Sequence, residues 1–123
     1  MTGRRRRRDG LLTVIFWRDI PAQVVAAQGN HREAALLPER FQHAIDRAAG
    51  VAGLTETKAY VDQWRREEQQ MEGDVASQVS ALAGDLDARY SAEVLEQMVR
   101  SGGLLQHDDA AENSARMVNR YTT

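Results

Sequence analysis

The hydrophobic pattern changes its period once along the chain, and this change predicts an α+β fold. Residues 11 to 17, LLTVIFW, are strand formers that are apolar on both faces, a pattern typical of a strand covered from both sides. A charged reversal, RDIP, separates this run from a second one, QVVAAQ. Because Pro21 favours an extended residue before it, we expect a β-hairpin that turns at the two charges. Gly29-Asn30 then begins a loop.

After residue 37 the apolar residues recur at helical spacing. One helix is predicted from Pro38, which suits a first helical turn, to the glycines at 50 and 53. A second starts after Thr55 and runs through AYVDQWRREEQQ, and a third starts at Asp74 and continues to the stop at Gly102-Gly103. The predicted fold is therefore α+β, with a short N-terminal β-hairpin packed against three or more α-helices.

The same pattern divides the chain into three parts. Residues 1–10 form a basic tail that we expect to be disordered, because adjacent arginines repel each other and bury nothing. Residues 11–101 are expected to form a single α+β domain. Residues 102–123 are predicted to be a flexible or weakly helical tail, in which Asp109 and Glu112 have the spacing of a capping box.

The composition excludes several kinds of functional site but does not identify one. The chain has 123 residues and no cysteine, which excludes disulfides, thiolate catalysis and zinc-thiolate sites. Arg4 to Arg8 supply five of the 16 basic residues, and the other 11 face 18 acidic residues, so the rest carries about −7. Such a body is a poor nucleic-acid binder. Its apolar runs are too short for a signal peptide or a membrane span, and we expect a cytoplasmic protein with no membrane contact.

Three stretches resemble a known family. These are TVIFWRDIPAQVV, LPERFQHAIDRAA and AYVDQWRR, and the later ARYSAEVLEQMVRSGG resembles the end of its short members. The family is the small bacterial group named "virulence factor", whose module is also similar to a segment of conserved virulence factor C proteins. The resemblance covers residues 12 to 66 most closely. It implies an accessory protein associated with corrinoid- or folate-dependent one-carbon metabolism.

Two interpretations of the charged reversal remain open. Arg18 and Asp19 point to opposite faces of an extended segment, so they cannot simply pair with each other. In the first interpretation Arg18 forms a structural latch with a helix carboxylate such as Asp46 or Glu39, because a buried charge needs a partner. In the second, the guanidinium binds a carboxylate or phosphate of a partner. The candidate residues for either role are Trp17, Arg18, Asp19, Pro21, Gln23, Arg40, Asp46 and Trp64.

No catalytic motif, metal-ligand spacing or cofactor fingerprint appears, and we assign no catalytic residue, metal or cofactor. His43 lies near Glu39 and Asp46 in helical spacing, which is more typical of a solvated helix face than of a metal site. The predicted function is therefore a non-enzymatic accessory or interaction subunit. One alternative is a nucleic-acid-binding regulator that uses the tail at Arg4, Arg5, Arg6, Arg7 and Arg8. A weaker one is a small enzyme built around Arg18, Asp19 and Asp46.

A hairpin of two apolar-faced strands has two open edges and is marginally stable alone. The helices offer too little apolar surface to cover both of its faces. We therefore expect association through the hairpin, either as a homodimer or with another protein that lends a strand or a face.

Overall fold

The computed structural model describes residues 10–71 and 73–105 of the chain. Within these residues an antiparallel sheet of four strands packs against helices, which confirms the α+β prediction. The strands are β1 (Gly10–Trp17), β2 (Ile20–Gln28), β3 (His31–Leu36) and β4 (Trp64–Met71). The helices are α1 (Glu39–Ala52), α2 (Thr57–Val61), α3 (Val75–Arg89) and α4 (Ala92–Arg100).

The predicted hairpin is present, and it forms the centre of the sheet. The strand order is β3-β2-β1-β4, and β1 and β2 pair from Leu11↔Ala27 to Trp17↔Ile20 with one irregularity between Ile15 and Phe16. Each strand of the hairpin therefore has a second neighbour from the same chain. The expected open edges of the hairpin are not there, because the free edges of the sheet belong to β3 and β4.

The predicted second helix is mostly wrong. Only its first part is helical, as the five-residue α2, and Trp64 begins β4 instead of lying on a helix face. The segment WRREEQQM pairs with β1 without interruption, from Gly10↔Met71 to Trp17↔Trp64. Arg, Glu and Gln favour helices in isolation, but an edge strand also tolerates charged side chains. The hydrogen bonds that β1 offers decide between the two.

Strand β3 is absent from the sequence-based prediction. Gly29-Asn30, expected to begin a loop, forms a tight turn in which Gly29 has φ 59°, and HREAAL then returns along β2 from Gln28↔His31 to Gln23↔Leu36. This segment lacks the β-branched and aromatic residues that mark a strand. Its strand conformation follows from its position beside β2, with α3 packed against both strands.

One face of the sheet carries the main core. Leu12 and Val14 of β1 and Val24 and Ala26 of β2 pair with each other on this face and are buried. Helix α3 packs against β2 and β3, and α1 packs against β2 and α4. On the other face Thr13 and Val25 are buried, whereas Leu11 is 45% and Leu36 78% exposed. Strand β1 is thus covered on both faces over most of its length.

The helix ends follow local signals. The carboxylate of Asp74 accepts a hydrogen bond from the Ser77 amide at 2.8 Å, which caps α3 and lowers the pKa of Asp74. A real break separates α3 from α4, because Ser91 accepts from the Val94 amide and begins a new helix. Helix α1 continues through Gly50 and ends at Gly53, where φ is 73°. None of the helices in the described residues is long and apolar enough to cross a membrane.

Candidate interaction site

The site is built around the turn between β1 and β2. Only Arg18 and Asp19 separate the two strands, and Arg18 has φ 53°, the one positive value at a non-glycine residue in the described chain. A two-residue hairpin loop needs positive φ at its first central position, where glycine or asparagine is usual. An arginine there costs about 1 kcal/mol of backbone strain, so its side chain must contribute something that glycine cannot.

The side chain of Arg18 joins two distant segments. Its Nε donates to Oε1 of Gln63 at 3.1 Å, and its Nη1 donates to the carbonyl of Gly102, also at 3.1 Å. The backbone adds a third link, since the Arg18 amide donates to the Gln63 carbonyl at 3.0 Å. Arg18 therefore ties the start of β4 and the end of α4 to the same turn.

Asp19 continues this set of links on the other side of the turn. Its amide donates to the carbonyl of Gly103 at 2.9 Å. Its carboxylate accepts from the Leu105 amide at 2.9 Å and from Nη2 of Arg65 at 3.2 Å. Both oxygens of this half-buried carboxylate are therefore engaged within the chain.

Arg65 of β4 completes the turn. Its Nε donates to the carbonyl of Arg18 at 2.7 Å, while its guanidinium lies 4.3 Å from the centre of the Phe16 ring. One arginine thus satisfies a backbone carbonyl, pairs with Asp19 and covers an aromatic ring.

Gly102 and Gly103 approach the turn more closely than any other residue type could. A Cβ on Gly103 would lie 2.8 Å from Cζ3 of Trp17, and a Cβ on Gly102 would lie 3.1 Å from Cβ of Ala52. Both glycines have positive φ, 71° and 94°. The sequence assigns residues 102 to 105 to a tail, but in the structure these residues pack against the turn and close the folded unit.

Trp17 anchors the aromatic side of the site. It is fully buried, its Nε1 donates to the Tyr60 carbonyl at 2.8 Å, and the two rings are 5.6 Å apart. Trp64 meets Tyr60 edge-on at 6.0 Å. These contacts hold α2 over the end of β1, and they depend on Trp64 lying in β4 beside Trp17.

The expected latch to a helix carboxylate is not formed. Arg18 bonds to an amide and a carbonyl oxygen, and Asp46 accepts a hydrogen bond from Gln42 on the exposed face of α1. No ion pair within the described residues joins Arg18 to Asp46 or Glu39. The reason is the unpredicted β4, which brings Gln63 and Arg65 to the turn. Asp46 is thus separated from the pair with which it was grouped as an enzyme site.

The other candidates lie outside the turn cluster. Pro21 is buried in β2, and Gln23 pairs with Ile15 and Leu36 inside the sheet. Arg40 holds α1 to the end of α3, because its Nη2 donates to the carbonyls of Asp87 and Tyr90 and to the Asp87 carboxylate. Arg4 to Arg8 lie outside the described residues.

Sequence reasoning missed five residues of the site, namely Gln63, Arg65, Gly102, Gly103 and Leu105. The pair Gly102-Gly103 carried the only usable signal, because adjacent glycines after a helix mark either a stop or a close approach. The partner of that approach, Trp17, lies 86 residues away along the sequence and is set by the tertiary fold. Within the described residues, no group of three or more histidine or acidic side chains could hold a metal ion.

Comparison with protein families gives a match over most of the described chain. The family model described as "Virulence factor" matches residues 15–99, more than half of the chain. The chain belongs to the virulence factor family. The matched segment contains Arg18, Asp19 and Arg65 and ends before the two glycines. No curated protein and no solved structure matches the chain significantly.

In this member of the virulence factor family, three exposed apolar residues lie within two positions of residues that contact the turn at Arg18 and Asp19 or its glycines. Val51, Val61 and Leu104 are 57%, 53% and 45% exposed. Val51 precedes Ala52, whose Cβ would lie 3.1 Å from a Cβ on Gly102. Val61 lies two residues before Gln63, and Leu104 stands between Gly103 and Leu105, which bond to Asp19. We define the turn-end surface as Val51, Val61 and Leu104.

Proposed function

We propose that this virulence factor family protein is a non-enzymatic interaction subunit that binds a protein partner through the turn-end surface. The observation that carries the proposal is that Val61 and Leu104 are exposed within two residues of groups that bond to Arg18 or Asp19, and that Val51 is exposed next to Ala52, which lies against Gly102. Apolar side chains exposed together at one end of a domain are typical of a protein interface.

The bonding of the turn supports a structural role for its charges. Arg18 Nε and Nη1, both carboxylate oxygens of Asp19 and all three nitrogens of Arg65 bond within the chain, to one another, to backbone groups or to the side chains of Gln63 and Glu67. A general acid, a general base or an anion-binding arginine needs an atom directed at the ligand. Three segments fixed by such bonds instead form a preorganised surface, which lowers the entropic cost of binding.

The partner is a second copy of the chain or a different protein, and the setting we propose is the cytoplasm. The link to corrinoid- or folate-dependent one-carbon metabolism rests on the family resemblance alone. Because β3 and β4 occupy the outer sides of the hairpin, the expected pairing of hairpins is replaced in this proposal by contact at the turn end. Sedimentation velocity of the purified protein distinguishes self-association from a hetero-complex.

The test uses charged substitutions with a matched control. Val61→Glu and Leu104→Glu change exposed side chains of the turn-end surface, and Leu36→Glu changes an equally apolar, exposed side chain on β3. A photo-crosslinking amino acid placed at Lys58, an exposed residue of α2, identifies the partner in the native host. The crosslink should disappear in the two turn-end variants and persist in Leu36→Glu.

Loss of the partner in Leu36→Glu alone would assign the interface to β3 and contradict the proposal. Circular dichroism on each variant checks that the fold is retained. The alternative of a nucleic-acid-binding regulator depends on Arg4 to Arg8, and removing residues 1–9 tests it. Binding of RNA or DNA that survives this removal and resists added salt would contradict a protein-interaction role for the body.

A further inference from the structure

A groove between α1 and α4 is lined by both charged and apolar side chains, and none of these residues belongs to the β1–β2 turn. Its volume is about 240 Å³. Its lining consists of Arg40, His43, Ala44 and Arg47 of α1 and Ala92, Leu95, Glu96 and Val99 of α4. We propose that this groove binds a small carboxylate carried on an apolar body, such as an aromatic or short-chain acid.

The apolar floor of the groove favours a ligand with an apolar part of limited size. Ala44, Leu95 and Val99 are core residues that border it, and Ala92 lies at the start of α4. An apolar cavity of about 150 Å³ is enough to bind benzene. A groove of about 240 Å³ therefore has room for one ring or a short alkyl chain together with a carboxylate.

Arg40 provides a donor that a carboxylate needs. All three of its hydrogen bonds to described residues leave from Nη2, toward Asp87 and Tyr90. These bonds fix the plane of the guanidinium, which also lies 4.7 Å from the centre of the Phe41 ring. The Nε and Nη1 hydrogens have no partner among the described residues. Because Nε–H points away from Nη1, these two nitrogens do not form a fork, and one carboxylate oxygen can accept a single charge-assisted hydrogen bond from Nη1.

His43 lies between the two arginines along α1, one turn from each. Its ring is exposed and makes no hydrogen bond or ion pair with the described residues, in contrast to His31, which bonds to Glu33 at 2.9 Å. A ring nitrogen of His43 can therefore donate to the second carboxylate oxygen of a ligand.

The acidic side of the groove is already neutralised. Arg47 binds Glu96 through two hydrogen bonds, at 2.8 and 2.9 Å. This pair lowers the pKa of Glu96 and raises the pKa of Arg47. Glu96 therefore does not present an isolated negative charge to an incoming anion. A highly hydrated ion such as phosphate would lose water against the apolar floor without gaining a contact in return. We therefore assign the site to a carboxylate with an apolar body.

The test is a ¹⁵N–¹H NMR titration of the full chain with benzoate. Benzyl alcohol, which has the ring without the charge, and inorganic phosphate, which has the charge without the ring, are titrated at the same ionic strength. Benzoate should shift the amides of residues 40–47 and 92–99 and bind more tightly than either comparator. His43→Ala and Ala92→Leu should weaken benzoate about tenfold, whereas His31→Ala, the same substitution on β3, should have no effect.

The two groove variants separate the two parts of the argument. His43→Ala removes a donor without touching the floor, and Ala92→Leu fills the groove without removing a donor. Three results would overturn the inference: no shifts in residues 40–47 and 92–99, equal affinity for benzoate and benzyl alcohol, or tighter binding of phosphate than of benzoate. Equal weakening by His31→Ala would also overturn it, because that residue does not border the groove.

Discussion

The turn at Arg18 and the groove at Arg40 begin from similar local sequence and have different structural roles. Each arginine stands next to an aromatic residue in the chain, with the guanidinium 5.8 Å from the Trp17 ring centre in one case and 4.7 Å from the Phe41 ring centre in the other. Around Arg18 two nitrogens, Nε and Nη1, bond to two distant segments of the chain. Around Arg40 they use one nitrogen and leave two without described partners.

The difference lies in how many chain segments meet at each arginine. The β1–β2 turn is reached by the start of β4 and by residues 102–105, so carbonyls and amides surround it on several sides. Arg40 lies in the first turn of α1 and bonds to one other segment, the end of α3, through the carbonyls of Asp87 and Tyr90 and the Asp87 carboxylate. Arg18 therefore joins several chain segments, whereas Arg40 joins α1 to the end of α3 and, in our proposal, offers a remaining donor to a ligand.

Gly103→Ala should have the largest effect, because it acts on the closest contact of the turn. The new Cβ would lie 2.8 Å from the Trp17 ring at a φ of 94°, so we expect a loss of about 3–4 kcal/mol in the free energy of unfolding. Gly53→Ala is the matched control, since Gly53 has φ 73° and nothing within 4 Å of its Cβ position. It should cost only about 1 kcal/mol. Equal urea midpoints for the two variants would contradict the close contact.

Tyr90 connects the two regions, since its carbonyl accepts from Arg40 and the charges of Asp19 and Arg65 act on its phenol. Burial raises the pKa of Tyr90 from 10.0 to about 12. Between these two pH values the unfolded chain has lost the phenol proton and the folded chain still holds it. Stability should therefore fall as pH rises from 10 to 12, by about 2–3 kcal/mol in total.

The control for this pH dependence is Tyr90→Phe, which keeps the ring and removes the proton. Urea denaturation at pH 9 and pH 12 should show a smaller alkaline loss for the variant than for the parent. An identical loss in both proteins would show that the phenol is not protected by burial.

Asp19→Ala tests the acidic half of the turn. It removes the acceptor for the Leu105 amide and for Arg65, and we expect a loss of about 1–2 kcal/mol. Asp62→Ala is the control, because among the described residues the Asp62 carboxylate pairs with Lys58 alone, on a well-exposed helix surface. Its effect should be within about 0.5 kcal/mol. If thermal denaturation shows the same change for both, the carboxylate of Asp19 does not hold residues 102–105.

Arg18→Gly and Arg18→Ala separate the side-chain bonds of the turn from its backbone strain. Both remove the bonds to Gln63 and Gly102, but only glycine relieves the positive φ. Since Arg18 is half buried and bonds to neutral oxygens, alanine should cost about 1–2 kcal/mol. Glycine should be more stable than alanine by about 1 kcal/mol. Greater stability of the alanine variant in urea would mean that the turn is not strained.

Substitution in the groove should change the stability of the protein least. His43→Ala removes an exposed side chain without a described partner, so the free energy of unfolding should change by less than about 0.5 kcal/mol. Its effect on benzoate binding should nevertheless be clear. A marked loss of stability would show that His43 stabilises the fold, as the residues of the turn do, and is not free to bind a ligand.

Much of the fold was readable from the sequence. The apolar run in β1, the turn at Arg18-Asp19 and the spacing of Phe41, Ile45 and Ala48 each depend on local pattern, and the structure confirms the corresponding elements. Strand β4 was not readable, because RREEQQ favours a helix in isolation. Strand β3 was missed because Glu33, Ala34 and Ala35 have little β-propensity.

The candidate site also has a part that the sequence predicted and a part that it did not. Its two charges stood out because they interrupt an apolar run, but their partners could not be found from spacing. Gln63, Gly102 and Leu105 lie 45, 84 and 86 residues from the positions to which they bond. The expected partner, Asp46, was chosen as a nearby helix carboxylate, and the position of β4 made that choice wrong.

By itself the sequence determined the hairpin, its charged reversal, α1 and the helical character of α3 and α4 without the break between them, because apolar periodicity, capping residues and glycines act over a few neighbouring positions. Only the tertiary structure decided which strands flank the hairpin, which atoms close around Arg18 and Asp19, and which helices leave a groove between them. An edge strand and a hydrogen-bond partner are selected by competition among distant segments for the same backbone groups. The result of that competition depends on the packing of the whole chain.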